Sequence, residues 1–242
     1  MKGLIDAHCH LNDKSIFSEI PEAVELGISG FISSALCQEE YDWHIQNEIP
    51  EMKWCAGIHP YYDKSKGSDL ERIIRLCEDK KIIGIGEIGL DGRNDNEDWQ
   101  TTILLQQLDI ARNFDLPVVF HTVRKYYELY TILKNNFPKV KGYLHGFNGS
   151  KDIAENFAKF DLAFSLGCKP PKDECINYIT KRGFFLFETD APYQKPIDSK
   201  DEYNHLKNLL WNIENISAKS SISVNKLEEL QYKSYISLFP SI

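Results

Sequence analysis

No run of roughly eighteen or more apolar residues occurs in the chain, and no basic-then-apolar leader opens it. No membrane-spanning helix is therefore expected, no membrane partner is inferred, and a cytoplasmic location is the expectation. The six cysteines (Cys9, Cys37, Cys55, Cys77, Cys168 and Cys175) lie far apart and form no Cys-x-x-Cys pair. That argues against a zinc ribbon or a redox couple and suits reduced thiols. Positive charge is also scarce: 28 Lys and Arg stand against 36 Asp and Glu, a net charge of −8. A protein that coats nucleic acid by charge alone is disfavoured. An enzyme that meets phosphate through bound metal is not, because its acidic ligands count as negative until the ion is added. Linkers, low-complexity segments and sequence repeats are missing too, so nothing divides residues 1–242 into more than one domain. Nor does a glycine-rich turn follow the first apolar run, which removes the main sign of a dinucleotide-binding open sheet.

What the chain does have is a regular alternation. Leu4-Ile5, residues 30–35, 53–58, 82–86, 116–120, 142–144, 162–165 and 184–187 read as short buried strands. Helical patterns fall at Pro21–Leu26, from an Asp69 N-cap to Glu78, and at Trp99–Phe114, where Ile103, Leu104, Leu108 and Ala111 share a face. Further helices are predicted at Ile153–Phe160, Glu174–Thr180, Tyr203–Asn215 and Asn225–Leu238. Eight strand–helix units in this length fit an α/β fold, a single-domain (β/α)8 TIM barrel.

The polar residues fall where such a barrel would use them. His8 and His10, His59, Glu87, His121, His145 and Asp190 each stand just past a predicted strand, at the ends that converge on one face. Five of the seven histidines lie there, and only His44 and His205 fall in helical patterns. Period-two alternation sends His8 and His10 one way and Cys9 the other. The histidines with Glu87 and Asp190 exceed the needs of one tetrahedral ion, so two divalent cations are the natural count. Glu87 is the candidate bridge between them, and Asp190 could bind metal while holding the attacking water. Tyr61, Tyr62, Phe147 and Tyr193 follow strand ends and could stack bases or wall the mouth. Lys169 and Lys172 could touch a nucleic-acid backbone. Asp91 reads as either a support for a ligand histidine or a turn residue.

Six strings carry a resemblance. They are Asp6-Ala7-His8-Cys9-His10-Leu11, Gly57-Ile58-His59-Pro60, residues 85–91 (IGEIGLD), residues 116–121 (LPVVFH), residues 144–150 (LHGFNGS) and residues 188–193 (ETDAPY). In order and spacing they resemble the motifs of the TatD family of metal-dependent DNases, within the amidohydrolase superfamily. The resemblance implies one metal held by His8, His10, Glu87 and Asp190 and a second held by Glu87, His121 and His145. The metals implied are Mg²⁺, Mn²⁺ or Zn²⁺, and the activity is hydrolysis of DNA phosphodiester bonds, mainly at 3′ ends. Asp190 and Glu87 are the catalytic candidates, with His59, Arg124, Phe147 and Tyr193 as substrate contacts. DNA, single-stranded or at a 3′ end, is the expected partner, held through metal more than through basic side chains.

The chain departs from the family pattern in three places. Thr122-Val123-Arg124 replaces the usual His-Ser-Arg, Gln194–Lys200 replaces a basic segment, and Ser234 stands where an Asn is common. An amidohydrolase-like enzyme acting on a small ester, lactone or amide is the alternative, but its usual bridging lysine has no candidate here. A diverged partner subunit that binds nucleic acid or protein is the other alternative.

Overall fold

The computed structural model describes residues 3–240. Eight parallel strands close in sequence order into a barrel, each beside its neighbours in the chain, with the last strand returning to the first. They are β1 (Leu4–Cys9), β2 (Ile28–Ala35), β3 (Met52–Ala56), β4 (Gly84–Asp91), β5 (Val118–Val123), β6 (Gly142–Leu144), β7 (Ala163–Leu166) and β8 (Phe185–Phe187). Around them lie α1 (Lys14–Phe17), α2 (Ile20–Glu25), α3 (Gln38–Gln46), α4 (Leu70–Glu78) and α5 (Glu97–Phe114). The second half adds α6 (Tyr126–Asn136), α7 (Lys151–Phe157), α8 (Asp173–Arg182), α9 (Asn208–Ser220) and α10 (Val224–Leu238). The architecture is the expected TIM barrel.

Alternation of side chains along each strand builds two apolar layers. Ile5, Ala7, Ile32, Cys55, Val119, Tyr143, Ala163 and Leu186 fill the barrel interior together with Leu238 and Phe239 from the end of α10. Phe31, Ile85, Val118, Phe120, Phe164, Phe185 and Phe187 belong to a second cluster with Ile73, Leu104, Leu129, Ile176 and Ile213 from the surrounding helices. Cys9 lies in that second cluster although Ile5 and Ala7 of the same strand face the interior, because the register slips by one residue between Asp6 and Cys9. All six cysteines are buried and unpaired.

Closure between β1 and β8 is sparse, with one register pair, Asp6 and Phe187. Strand amides left without a ladder partner still need an acceptor, and α10 supplies it. Gln231 accepts from the Ile5 amide at 3.4 Å and donates to the Ile5 carbonyl at 3.2 Å, while Ser234 Oγ accepts from the Phe185 amide at 3.1 Å. Ser234, one of the departures in sequence, is thus part of the barrel's seam.

Three local expectations change. Asp69 does not cap α4; its carboxylate accepts from the Lys66 amide and the Gln38 side chain and holds a single 3₁₀ turn before the helix. His205 precedes α9 rather than lying within a helix, and its Nδ1 meets Glu19 Oε1 at 2.6 Å. Helices α1 and α6 were not foreseen, and α3 only as the helical pattern around His44.

His44, on α3, is fully buried and stacked on Trp54, with ring centroids 4.9 Å apart. Its Nδ1–H donates to the Glu40 carbonyl at 2.7 Å, and its Nε2 accepts from Ser33 Oγ at 2.8 Å. Ser33 Oγ in turn accepts from the Leu11 amide at 3.0 Å. Burial lowers the His44 pKa to about 4. Below the ordinary histidine value the unfolded chain takes up a proton that the folded chain refuses until about pH 4. Stability is therefore full above roughly pH 6.5 and declines as pH falls through that window, by about 3 kcal/mol from this one group. Urea unfolding across the window should show a shallower acid dependence for His44→Gln than for the parent. Equal slopes would remove His44 from the balance.

Candidate metal centre

Two departures from regular strand pairing aim the key side chains. Along β4 and β5, Gly86 pairs with Val119 and Ile88 with Phe120, so Glu87 is an extra residue at a bulge. Along β1, Asp6 pairs with Phe31 and Cys9 with Ser33, which again leaves one residue over. Bulges re-aim side chains at barrel rims. Glu87 and His8 consequently lie within strands rather than beyond them, as does His121 on β5. His145 directly follows β6, whereas His59 and Asp190 each stand on the loop three residues past their strand. All seven converge at the C-terminal end of the barrel and are at most 9% exposed.

Their separations describe two donor sets with one member in common. His8 Nε2 lies 3.4 Å from Glu87 Oε1 and 3.6 Å from Asp190 Oδ1; for His10 Nε2 the corresponding distances are 3.5 and 3.3 Å. On the other side, Glu87 Oε2 lies 3.4 Å from His121 Nδ1 and 2.9 Å from His145 Nε2, and these two nitrogens are 3.1 Å apart. Ligands bound tetrahedrally at about 2.0–2.1 Å stand roughly 3.3 Å from one another. The first set matches that spacing closely and the second is slightly contracted. His8 Nε2 is buried with no hydrogen-bond partner, which a cation would relieve. The donor set and its spacing fit divalent metal.

The rings are held from behind. His8 Nδ1 meets Ser34 Oγ at 3.2 Å, His121 Nε2 meets Asp91 Oδ2 at 2.9 Å, and His145 Nδ1 faces Glu188 Oε1 at 3.6 Å. Such partners leave the other nitrogen free for metal and fix the ring. Asp91, ambiguous in sequence, both supports His121 and accepts from the Arg93 amide in a turn. Asp6 joins the two ends of the site: it accepts from the amide and hydroxyl of Thr189 at 3.0 and 2.6 Å and from the His8 amide at 3.2 Å. Burial raises its carboxyl to about 7 despite these bonds. Ser34, Glu188, Thr189 and Asp6 escaped the sequence reading as supports, although all but Ser34 lie inside the motif strings.

Charge within the cluster is strongly polarised. Burial opposes ionisation of Glu87, but His8, His145 and His121 outweigh it and hold the carboxyl well below the usual range. Burial would lower His10 and His145, yet the carboxylates around them leave both raised. Protons and cations compete for the same nitrogens. His59 differs: burial and the neighbouring His121 hold its imidazole well below the usual value. Its Nδ1 accepts from the Tyr61 amide at 3.0 Å, so in the neutral ring the hydrogen is on Nε2, 3.8 Å from Glu87 Oε2. That makes His59 a donor beside the site and favours His145 as the third member of the second set.

A cleft of about 1280 Å³ opens above Glu87 and Asp190. Tyr61, Tyr62 and Tyr193 line it, and Tyr193 packs edge-on against His10. Lys14, Lys64, Arg93 and Lys169 also line it, offset by Asp13, Glu39, Glu40 and Asp63. Two expected contacts are absent from its walls. Phe147 is fully buried against Phe164 and Tyr126, and Arg124 is exposed outside the cleft at a left-handed φ of 58°. Lys172 is not among its walls either.

A parallel eightfold barrel with a histidine–carboxylate cluster at its C-terminal face defines the class of metal-dependent hydrolases. The family described as TatD related DNase matches residues 5–240, and the chain belongs to it. Relatives include human "Deoxyribonuclease TATDN3", 24% identical, covering 99% of this chain and 96% of the relative. The "3'-5' ssDNA/RNA exonuclease TatD" of Erwinia tasmaniensis is 28% identical over 75% of each chain. Among solved structures, the TatD homolog YjjV of Escherichia coli superposes with a TM-score of 0.90 at 24% identity, covering all of both chains. Among the described residues no helix is long and apolar enough to cross a membrane.

Proposed function

We propose that this protein hydrolyses phosphodiester bonds of nucleic acid, DNA foremost, from a 3′ end and with two divalent cations. One cation would be held by His8, His10, Glu87 and Asp190, the other by Glu87, His121 and His145. The observation that carries this reading is the sharing of Glu87 between the two donor sets, one carboxylate oxygen facing each. Mixed imidazole and carboxylate donors suit Zn²⁺ or Mn²⁺ better than Mg²⁺, which favours oxygen. Cations bound there would supply positive charge for the phosphate and leaving-group oxygens and lower the pKa of a bound water.

The chain's own groups divide the remaining work. Asp190 turns Oδ1 toward His8 and His10, while its Oδ2 has no hydrogen-bond partner among the described residues. That second oxygen orients the attacking water and accepts its proton. His59 Nε2–H donates to a nonbridging phosphate oxygen. Tyr61 and Tyr193, 46% and 57% exposed, offer ring faces to unstacked bases, which suits a single strand. The names of the human and Erwinia relatives point to the same substrate class. An amidohydrolase with a modified bridging lysine is less well supported, because among the described residues the only strand lysine, Lys53, is exposed on β3.

End-labelled single- and double-stranded DNA and RNA oligonucleotides, incubated with Mg²⁺, Mn²⁺ or Zn²⁺ and with chelator, test the proposal. Single-stranded DNA should shorten stepwise from its 3′ end, and chelator should stop it. Cleavage that persists in chelator, or hydrolysis of small esters and amides with no oligonucleotide cut, would refute it.

A further inference from the structure

Four basic side chains line the cleft, and one of them is built into it. Lys14, Lys64 and Lys169 are exposed and make no hydrogen bond or ion pair among the described residues. Each would lose its rotamer freedom on meeting a ligand. Arg93, two residues past the support of His121, is already fixed. Its Nε donates to Asp91 Oδ1 at 2.9 Å and Oδ2 at 3.1 Å, and its Nη2 donates to Oδ2 as well. The guanidinium carbon lies 4.4 Å from the centroid of the Tyr61 ring, so the group is gripped in its plane and supported on one face. Nη1 has no partner among the described residues, and the side chain is 44% exposed. A guanidinium held this way presents remaining N–H donors at little entropic cost and matches phosphate geometry.

We infer that Arg93 anchors a second phosphate of the substrate strand, the one next to the phosphate being cut. This rests on the nucleic-acid reading above. The His121 ring and the Asp91 carboxylate stand in series between Glu87 and Arg93, so we place Arg93 on the neighbouring phosphate and not on the one at the metal ligands. The role expected of Arg124 thereby passes from the end of β5 to the loop after β4. Asp91 does not cancel the site, because it also accepts from His121 Nε2 and leaves Nη1 unused. Strand length above one linkage becomes a determinant of affinity.

A chemical double-mutant cycle tests this on the metal-loaded protein. Labelled dT4 is compared with dT4 carrying an uncharged methylphosphonate at the linkage next to the 3′-terminal one. Parent and Arg93→Gln are compared, with affinity read by fluorescence anisotropy ahead of turnover. In the parent the methylphosphonate should weaken binding by roughly tenfold or more, the worth of a charge-assisted hydrogen bond. In Arg93→Gln it should cost little further, since contacting partners are non-additive. Arg93→Lys should fall between. Equal losses in parent and variant overturn the contact, as does a variant whose only defect is a lower metal content, which would mean that Arg93 merely props Asp91 and His121. A parent that binds dT4 with this coupling but never cleaves it keeps the anchor and sinks the nuclease reading. A parent that does not bind dT4 sinks both.

Discussion

Glu87→Ala is expected to lose cations from both positions and to reduce turnover by roughly 10³-fold or more, the several kcal/mol that bound metal contributes to such a transition state. The expectation follows from geometry. Oε1 faces His8 and His10, Oε2 faces His121 and His145, and each is within 3.5 Å of its nitrogens. Among the described residues no other carboxylate contacts both sets. Removing it leaves the first set with two histidines and Asp190 and the second with histidines alone. His145→Ala makes the contrast, because it touches one set and should empty mainly that one. Elemental analysis of the purified variants reads this directly. A full metal complement in Glu87→Ala would rule out the bridge, whatever the activity did.

Asp190→Asn should separate holding from chemistry. Asp190 adopts a left-handed φ of 58°, a conformation that Asn also tolerates, so the backbone is not disturbed. Its amide bond to the His8 carbonyl at 2.8 Å, which helps to close β1 on β8, does not involve the side chain. The Asn carbonyl can still offer one oxygen to a cation, but the amide cannot take a proton. Turnover should fall by about 10²–10⁴-fold, the range for loss of a positioned base, with substrate still bound. Saturating metal should not restore it. Single-turnover cleavage against metal concentration distinguishes this from a purely ligating role, for which excess cation would bring the rate back near the parent's.

Much of this was legible in the linear sequence because a barrel converts position into place. A histidine or carboxylate near the end of a strand must arrive at one rim, whatever the helices do. What the sequence concealed has particular causes. Glu87 reads as lying just past a strand, but the strand continues to Asp91 and a bulge turns Glu87 inward; a one-residue bulge leaves no mark in composition. Helix α3 buries only Tyr41 and His44 and so shows little apolar periodicity. Phe147 follows a strand end as a rim residue would, yet its ring turns outward beneath Tyr126. Arg93 looks like any loop arginine until Asp91 and Tyr61 are seen to grip it. The supports behind the histidines depend on pairs as distant in sequence as Asp6 and Thr189, which only the fold brings together.

The shared carboxylate is the point on which the rest depends, and crystals grown with Mn²⁺ address it most directly through an anomalous difference map. Two peaks about 3.5–4 Å apart, one on each side of Glu87, are predicted, with the first on His8, His10 and Asp190 and the second on His121 and His145. A single peak at full occupancy under excess metal, or a second peak ligated by His59 instead of His145, would contradict it.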